Sequence, residues 1–143
     1  MLYELIYSSL PETPFSEDDI GLLLTEARAR NADLDITGVL FFNGREFFQL
    51  LEGERDVVNR IFTSIERDAR HREITVFHAG PIERRAFAEW SMAYERVEAG
   101  TSFGNWKDDL AVSADDQALH SPSLGYRLFR LLRDQPSPRY AVG

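Results

Sequence analysis

Hydrophobic and polar positions follow two different periods along the chain, and the two periods succeed one another in a regular order. Residues 2–8 (LYELIYS) alternate in a way that predicts a first strand, and residues 17–30 carry apolar side chains at helical spacing. Two further strand-like runs flank Asn43-Gly44, a pair suited to a type I′ hairpin because both residues tolerate positive φ. The first half of the pattern is therefore β-α-β-β.

Sequence signals also mark both ends of the first predicted helix. Ser16 and the acidic residues that follow it suit a helix N-terminus, where free backbone N–H groups need acceptors. Asn31 is well placed to end the helix, because asparagine tolerates the left-handed conformation of a helix C-terminus. The helix is therefore predicted to stop before Asn31.

A second helix and two more strands complete the pattern. Residues 54–70 form an amphipathic helical segment, residues 73–81 (EITVFHAGP) predict a fourth strand and residues 87–96 (FAEWSMAYER) predict a fifth. The order β-α-β-β-α-β-β predicts an α+β, ferredoxin-like fold, with a mixed five-stranded sheet and both helices on one face. The apolar side of the second helix consists of Val57, Val58, Ile61, Phe62 and Ile65.

The other face of such a sheet needs a cover, because its apolar side chains make it unsuited to face water. Residues 123–134 (SLGYRLFRLLRD) have leucines on one helical side. We expect this C-terminal helix to cap the second sheet face or to lie in an oligomer interface. The apolar residues of that face are Leu2, Ile6, Phe48 and Leu50.

Composition narrows the function classes. The 143 residues suit one domain, which we place at residues 1–97, followed by a C-terminal helical extension at 98–143. A net charge of −8 argues against sequence-independent binding to nucleic acid. The sequence has no cysteine, and its three histidines lack metal-ligand spacing, so neither thiol chemistry nor a metal site is expected. Because the sequence shows no signal peptide or membrane span, we expect a cytoplasmic protein.

Gln49 has apolar neighbours in the third predicted strand, so its amide is expected to be buried and to need hydrogen-bond partners. The fold places strands one and three side by side, and we expect them to be parallel. Tyr7 then lies on the helix-facing side, one strand away from Gln49, within reach of its amide. The alternative is that the two polar groups are unrelated and are satisfied separately by backbone or water.

Basic residues cluster near the predicted C-terminal ends of both helices, which meet at one edge of the sheet. Compensation of the helix dipole explains such placement without any ligand. A phosphate-bearing ligand between the helices would find its counter-charges in the same place. Trp90 and Met92 are expected to share one face of the fifth strand, where they would be core residues. The basic residues are Arg28, Arg30, Arg67, Arg70, His71 and Arg72.

Taken together, the order and spacing of these residues resemble the BLUF family of blue-light sensors that use flavin. The resemblance covers residues 1–97, about two thirds of the chain. The residues that carry it are Asn31, Ile36-Thr37-Gly38, Gln49, Leu51-Glu52-Gly53, Asp68-x-Arg70-His71 and Trp90-Ser91-Met92.

The resemblance implies FAD held non-covalently between the two helices, with FMN or riboflavin as the other flavins to consider. Tyr7 matches the photoactive tyrosine of the family, and Gln49 matches its switching glutamine. Asn31 matches the asparagine that binds the polar edge of the flavin ring. Leu24 and Ile65 match the aliphatic positions that sandwich this ring.

The resemblance also assigns residues along the outer part of the cofactor. Asp68, Arg70 and His71 match the segment that lines the ribityl chain and the outer end of the flavin. Arg28 is a further candidate nearby. Arg30 occupies a position that varies in the family, and its role toward the cofactor is left open.

In the mechanism that the resemblance implies, light drives proton-coupled electron transfer from Tyr7 to the flavin, and the hydrogen bonds of Gln49 are rearranged. The flavin absorption shifts slightly to the red without a covalent bond, which agrees with the absence of cysteine. Trp90 and Met92 match the fifth-strand pair that relays the change to the C-terminal helices. We expect output through a downstream protein partner in trans, or through a change of assembly in a homo-oligomer, without enzymatic turnover.

Two other interpretations belong to different classes of protein. A flavin- or nucleotide-dependent enzyme would need a general base that the sequence does not supply in a convincing arrangement, and SSLPETP is not a phosphatase loop. A light-independent ferredoxin-like module for ligand binding or oligomerisation is the other alternative. Colour, and a reversible red shift under blue light, distinguish the three.

Overall fold

The structure is a computed structural model, and it describes residues 1–99. The element order and the α+β, ferredoxin-like class are as predicted. The predicted C-terminal helix at 123–134, and with it the cap of the second sheet face, lies outside the described residues. The elements are β1 (Leu2–Pro11), α1 (Glu17–Leu34), β2 (Thr37–Phe42), β3 (Phe47–Glu54), α2 (Arg55–Glu66), β4 (His71–Pro81) and β5 (Ala93–Arg96).

The five strands form one mixed sheet in the order β4-β1-β3-β2-β5. Neighbouring strands are antiparallel except β2 and β5, which are parallel. The prediction that β1 and β3 are parallel was wrong. The crossover through α1 makes β1 parallel to β2, and the hairpin then returns β3 between them in the opposite direction. The β2–β3 hairpin therefore makes β3 antiparallel to β1.

Helix α1 begins as predicted and ends later than predicted. Ser16 and Asp19 form a reciprocal capping box, in which each side chain accepts a hydrogen bond from the other residue's backbone N–H. Asn31 does not end the helix, because the left-handed residue at its C-terminus is Asp35, with φ 55° and ψ 43°. Asn31 is instead fully buried inside the last turns of α1, so its side chain is available for tertiary contacts.

The turn between β2 and β3 also differs from the predicted type I′ turn. Gly44 has a positive φ of 90°, but Asn43 does not adopt positive φ. The side-chain Oδ1 of Asn43 accepts hydrogen bonds from the backbone N–H groups of Arg45 and Glu46, at 2.9 and 2.8 Å. Asparagine therefore stabilises this turn through its side chain rather than through its tolerance of a left-handed backbone.

Strand alternation gives the sheet two apolar faces. The helix-facing side packs against both helices, and the predicted apolar side of α2 lies there, with Val58, Ile61 and Ile65 buried. The opposite side carries a second cluster whose side chains are almost completely buried, as predicted for Ile6 and Phe48. Members of this second cluster are Ile6, Val39, Phe41, Phe48, Leu50, Phe87 and Ala93.

Strand β5 is shorter than predicted, and this changes the position of two candidate residues. Trp90 and Met92 precede the strand, and they do not share a face. Met92 is fully buried in the helix-facing cluster, whereas Trp90 packs against the second cluster. The prediction that they share one strand face was wrong, because strict alternation applies only inside a strand. Within residues 1–99, neither helix is long and apolar enough to span a membrane.

Candidate functional site

A cavity of about 270 Å³ lies on the helix-facing side of the sheet, between α1 and the C-terminal end of α2. Its walls combine apolar side chains with amide, phenol, carboxylate and guanidinium groups, so it suits a planar ligand that also has polar edges. Within the described chain, no group of histidine and acidic side chains is arranged to hold a metal ion. The cavity is lined by Tyr7, Leu23, Glu26, Ala27, Arg30, Leu40, Phe47, Gln49, Ile65, Asp68, Arg70, His71 and Met92.

Tyr7 and Gln49 meet on the cavity wall. They are directly opposite each other in the β1–β3 register, and the Tyr7 hydroxyl donates a hydrogen bond to Gln49 Oε1. The predicted contact is therefore present, although the strands are antiparallel, because residues opposite each other share a face in either direction. The side chain of Gln49 reaches a third group as well, since its Nε2 lies 3.7 Å from the sulfur of Met92.

The environment of Tyr7 keeps its phenol protonated. Burial raises the pKa of Tyr7 well above its ordinary value of 10.0, and the nearby charges of Arg30 and Asp68 act in opposite directions. A protonated phenol is a hydrogen-bond donor and can release both a proton and an electron. Tyr7 is therefore held as a hydrogen-bond donor toward Gln49.

Charged residues form the rim of the cavity. Arg70 contacts the Asp68 carboxylate with an Nη2–Oδ2 distance of 2.7 Å, and its Nη1 lies 3.3 Å from Glu26 Oε2. The hydrogen bonds from Arg70 lower the pKa of the Asp68 carboxyl, so this pair is ionised at neutral pH. Arg30 reaches the cavity from α1 and donates from Nε to Asn31 Oδ1 at 3.1 Å. The rim thus offers guanidinium groups with partly compensated charge.

The basic residues of α1 lie before its last turn and so are not placed to compensate its dipole. Helix α1 continues to Leu34 and α2 ends at Glu66, and the last turn of neither helix contains a basic residue. The dipole explanation of the basic cluster was therefore wrong for Arg28 and Arg30. Arg30, Arg70 and the neighbouring His71 instead converge on the cavity.

The apolar walls match the prediction on one side only. Ile65 of α2 lines the cavity, but Leu24 of α1 is buried in the core beneath the helix and is not on the wall. Leu23 and Ala27 occupy the α1 wall together with Arg30. These three are spaced i, i+4 and i+7, so helical periodicity contained the signal that could have identified them.

Two candidates from α1 lie beside the cavity and do not line it. Asn31 Nδ2 donates to the carbonyl of Ser91 at 2.7 Å, and Arg28 Nε donates to the carbonyl of Met92 at 3.0 Å. Both side chains therefore bind the backbone segment that leads into β5.

The sequence analysis did not identify Leu40 and Phe47, which line the cavity. Both share the face of Gln49, Leu40 by strand pairing and Phe47 by alternation along β3.

His71 lies at the start of β4, on the cavity wall. Its Nδ1 is 3.3 Å from Ser9 Oγ, and its ring centroid is 5.6 Å from that of Phe47. Burial lowers the pKa of His71 below its ordinary value of 6.5. The charge of Asp68 raises this pKa and the charge of Arg70 lowers it, both by less than burial does. The folded protein therefore holds His71 as a neutral imidazole.

Replacing His71 with glutamine is expected to remove part of the acid sensitivity of the fold. With the folded pKa below 6.5, the unfolded chain binds more protons as the pH falls through this range, so the wild type loses stability there. The measurement is the free energy of unfolding in urea between about pH 7 and about pH 5, around the ordinary histidine pKa. Equal pH dependence in wild type and His71→Gln would contradict the assignment.

The site therefore consists of a phenol and an amide in direct hydrogen bond on the wall of a cavity between two helices. Residues 2–93 match the family described as sensors of blue-light using FAD (BLUF). This match covers more than half of the chain, so the protein belongs to the BLUF family of blue-light sensors.

Individual relatives agree with this assignment. The solved structure of BlrB, a BLUF protein in its dark state, superposes with a TM-score of 0.68 and 32% identity, covering 90% of this chain and 92% of that chain. The blue light- and temperature-regulated antirepressor BluF of Escherichia coli (strain K12) is 37% identical over 94% of this chain and 34% of that protein. Photoactivated adenylate cyclase subunit beta of Euglena longa is 34% identical over 77% of this chain. The chain spans only 13% of that cyclase subunit.

Proposed function

We propose that the protein is a blue-light photoreceptor that binds FAD non-covalently in the cavity between α1 and α2. The observation that carries this proposal is the hydrogen-bonded pair Tyr7 and Gln49 on the cavity wall, with Met92 on the far side of the amide. The family description names FAD, and the chain offers what such a ligand needs: apolar walls, an amide and cationic groups at the rim.

Different residues of the cavity would contact different parts of the cofactor. Ile65 and Leu23 supply apolar surface for a ring system, and Gln49 supplies an amide to its polar edge. Arg30, Arg70 and the neutral imidazole of His71 offer donors to a ribityl or phosphate group at the rim. Arg28, Asn31 and Leu24 do not line the cavity, and their contact with the cofactor is proposed from the family resemblance alone.

A bound flavin supplies the absorption of blue light and an excited state that accepts an electron and a proton. Tyr7 would give up both, with its proton passing to Gln49 Oε1 while the amide passes a proton on toward the cofactor. Return of one electron and one proton would restore the Tyr7 phenol and leave the Gln49 amide turned or in its other tautomer. The lasting change is a new hydrogen-bond arrangement of Gln49, worth about 0.5–1.5 kcal/mol for each bond exchanged.

A free-energy difference of this size biases an element with two available positions and does not drive a large motion alone. The element next to Gln49 is the segment that carries Trp90 and Met92 into β5. We propose that this segment relays the change to the C-terminal part of the chain and then to a protein partner in trans or to a second copy. The name of the E. coli relative, an antirepressor, supports output through a protein partner.

The purified protein tests this proposal directly. We expect a yellow protein whose bound flavin is released by denaturation, since no cysteine is available for a covalent bond. Blue light should shift the flavin absorption band slightly to the red, and the shift should reverse in the dark. Loading flavin-free protein with FAD, FMN and riboflavin in parallel identifies which flavins bind and switch.

The possible outcomes separate the classes of protein. A yellow protein without a reversible shift is the result expected of a flavin enzyme, and a protein that remains colourless after flavin loading is the result expected of a light-independent module. Either result contradicts the proposed photoreceptor.

A further inference from the structure

The segment between β4 and β5, residues 82–92, has no helix or strand of its own within the described chain. We call it the β4–β5 segment. It carries Met92 to Gln49, and because it forms no sheet ladder, a small set of hydrogen bonds decides its position. Those bonds come from side-chain and backbone groups on both sides of the sheet.

Glu52 holds the first half of this segment. It follows Gln49 by three residues on β3, so its side chain points to the opposite face of the sheet, where it is 0% exposed. Its Oε1 accepts a hydrogen bond from the Phe87 backbone N–H at 2.6 Å, and its Oε2 accepts one from the Ala86 N–H at 2.9 Å. The hydroxyl of Thr37 donates to Oε1 at 2.9 Å. Three donors therefore converge on one buried carboxylate.

Arg85 adds a second connection at the same place. Its guanidinium donates to the backbone carbonyl of Glu52 at 3.2 Å and to Thr37 Oγ1 at 3.0 Å, and it contacts Asp35 Oδ2 at 3.2 Å. Burial raises the pKa of the Glu52 carboxyl, while the Ala86 and Phe87 N–H groups and Thr37 oppose that rise. Glu4, the buried residue opposite Glu52 on β1, raises this pKa further, so the N–H groups of the segment are what favours the ionised form.

The second half of the segment is held from other elements. The carbonyl of Trp90 accepts from the backbone N–H of Gly38 at 3.2 Å, and the next two carbonyls accept from Asn31 and Arg28 of α1. A Cβ atom at Gly38 would lie 2.0 Å from the carbonyl oxygen of Leu50 on β3, so only glycine permits this close approach of β2 to β3. Three consecutive carbonyls therefore each have a donor.

Phe87 links the two halves. Its side chain is 1% exposed within the second apolar cluster, its carbonyl accepts from the Trp90 N–H at 3.0 Å, and the two rings lie 6.0 Å apart. Two residues after Trp90, Met92 has crossed to the helix-facing side and lies against Gln49. A single strand, β3, thus contacts this segment from both faces, through Gln49 and through Glu52.

We propose that Glu52 is a positioning residue for the light response. It holds the backbone of Ala86 and Phe87 so that the β4–β5 segment keeps Met92 against Gln49, and it thereby sets the stability of the dark arrangement. The inference rests on the proposed photoreceptor function for its light-dependent part. Its structural part, the placement of the segment, can be tested in the dark and without flavin.

The test variant is Glu52→Gln, and the matched control is Glu54→Gln. The amide nitrogen of glutamine cannot accept a hydrogen bond, so one of the donors that meet Glu52 loses its partner. Glu54 undergoes the same chemical change on the same strand, but its side chain is 63% exposed and pairs with the amino terminus at 2.7 Å. A difference between the two variants therefore reports the buried contacts and not the change in net charge.

The first readout is the fluorine NMR signal of Trp90 in flavin-free protein labelled with fluorotryptophan. The background carries Trp106→Phe, so that Trp90 is the single tryptophan. We expect Glu52→Gln to move or split the Trp90 signal and Glu54→Gln to leave it in place. Lower stability with an unmoved signal is what a merely structural role would give, and it would overturn the proposal.

The second readout is the rate of dark recovery in flavin-loaded protein. Loss of one buried hydrogen bond from the dark arrangement should slow recovery by about tenfold relative to Glu54→Gln. An unchanged or faster recovery would overturn the proposal. If the wild type shows no light response, the proposed function fails, and the Trp90 signal alone then decides the role of Glu52.

A milder variant covers the case in which Glu52→Gln does not fold. Thr37→Val removes one of the three donors to Glu52 together with one acceptor of Arg85, and it keeps the shape of the side chain. It should shift the Trp90 signal in the same direction by a smaller amount. An unmoved Trp90 signal in that variant counts against Glu52 as a positioning residue.

Discussion

Replacing Tyr7 with phenylalanine is expected to leave a protein that still binds flavin and no longer responds to blue light. The variant loses the hydroxyl that donates to Gln49 Oε1. It keeps the aromatic ring, whose centroid lies 5.2 Å from that of Phe62. Without a proton and electron donor on the cavity wall, the hydrogen bonds of Gln49 have no path to rearrangement. The measurement is the light-minus-dark absorption difference, which should fall to background.

The control for this variant is Tyr3→Phe. Tyr3 lies on the same strand and the same face, four residues earlier, packed against the helix-facing core and away from the cavity wall. It should keep the full red shift. The lost hydrogen bond should lower the stability of Tyr7→Phe by about 1 kcal/mol, which leaves a folded protein for the measurement. A wild-type light response in Tyr7→Phe would refute the assignment of Tyr7.

Replacing Gln49 with leucine should likewise preserve flavin binding and abolish the red shift. Leucine fills much of the same space, but it offers neither an acceptor to Tyr7 nor a donor toward the cofactor. The buried Tyr7 hydroxyl then lacks its partner, at a cost of about 1–3 kcal/mol in the free energy of unfolding. Difference spectroscopy and a urea titration of the same sample measure both effects.

Leu40→Met is the matched change on the same cavity wall. Leu40 is directly opposite Gln49 in the β2–β3 register, and exchanging leucine for methionine costs less than about 1.5 kcal/mol. This variant alters the wall without removing a hydrogen bond and should still switch. A normal light-minus-dark spectrum in Gln49→Leu would show that the amide does not carry the change.

The sequence predicted only some of the residues that line the cavity. Periodicity placed Tyr7 and Gln49 on one face correctly, because strand alternation is a local property that survives an error in strand direction. The family resemblance placed Leu24 and Ile65 on either side of the cofactor, and in the structure Ile65 lines the cavity. Leu24 lies in the core and its neighbour Leu23 lines the cavity, because two adjacent residues of a helix point about 100° apart and only the neighbouring helix decides which of them faces a cavity.

Polar residues of α1 were assigned less well. Asn31 was expected to end the helix, which in fact continues to Leu34, whereas the match of Asn31 to a cofactor-binding asparagine stays a prediction. Its amide and the guanidinium of Arg28 bind backbone carbonyls about sixty residues further along the chain, at Ser91 and Met92. No pattern within one helix predicts a partner at that sequence distance.

The amino-acid sequence by itself determined the element order, the ferredoxin-like class and the two apolar faces of the sheet. These follow from periodicity and from local propensities, which depend on near neighbours in the chain. Only the tertiary structure decided the direction of β1 relative to β3, the separation of Trp90 from Met92 and the burial of Glu52 beneath the β4–β5 segment. Those features depend on contacts between residues that are distant in sequence, and side chains outside regular elements take their positions from such contacts alone.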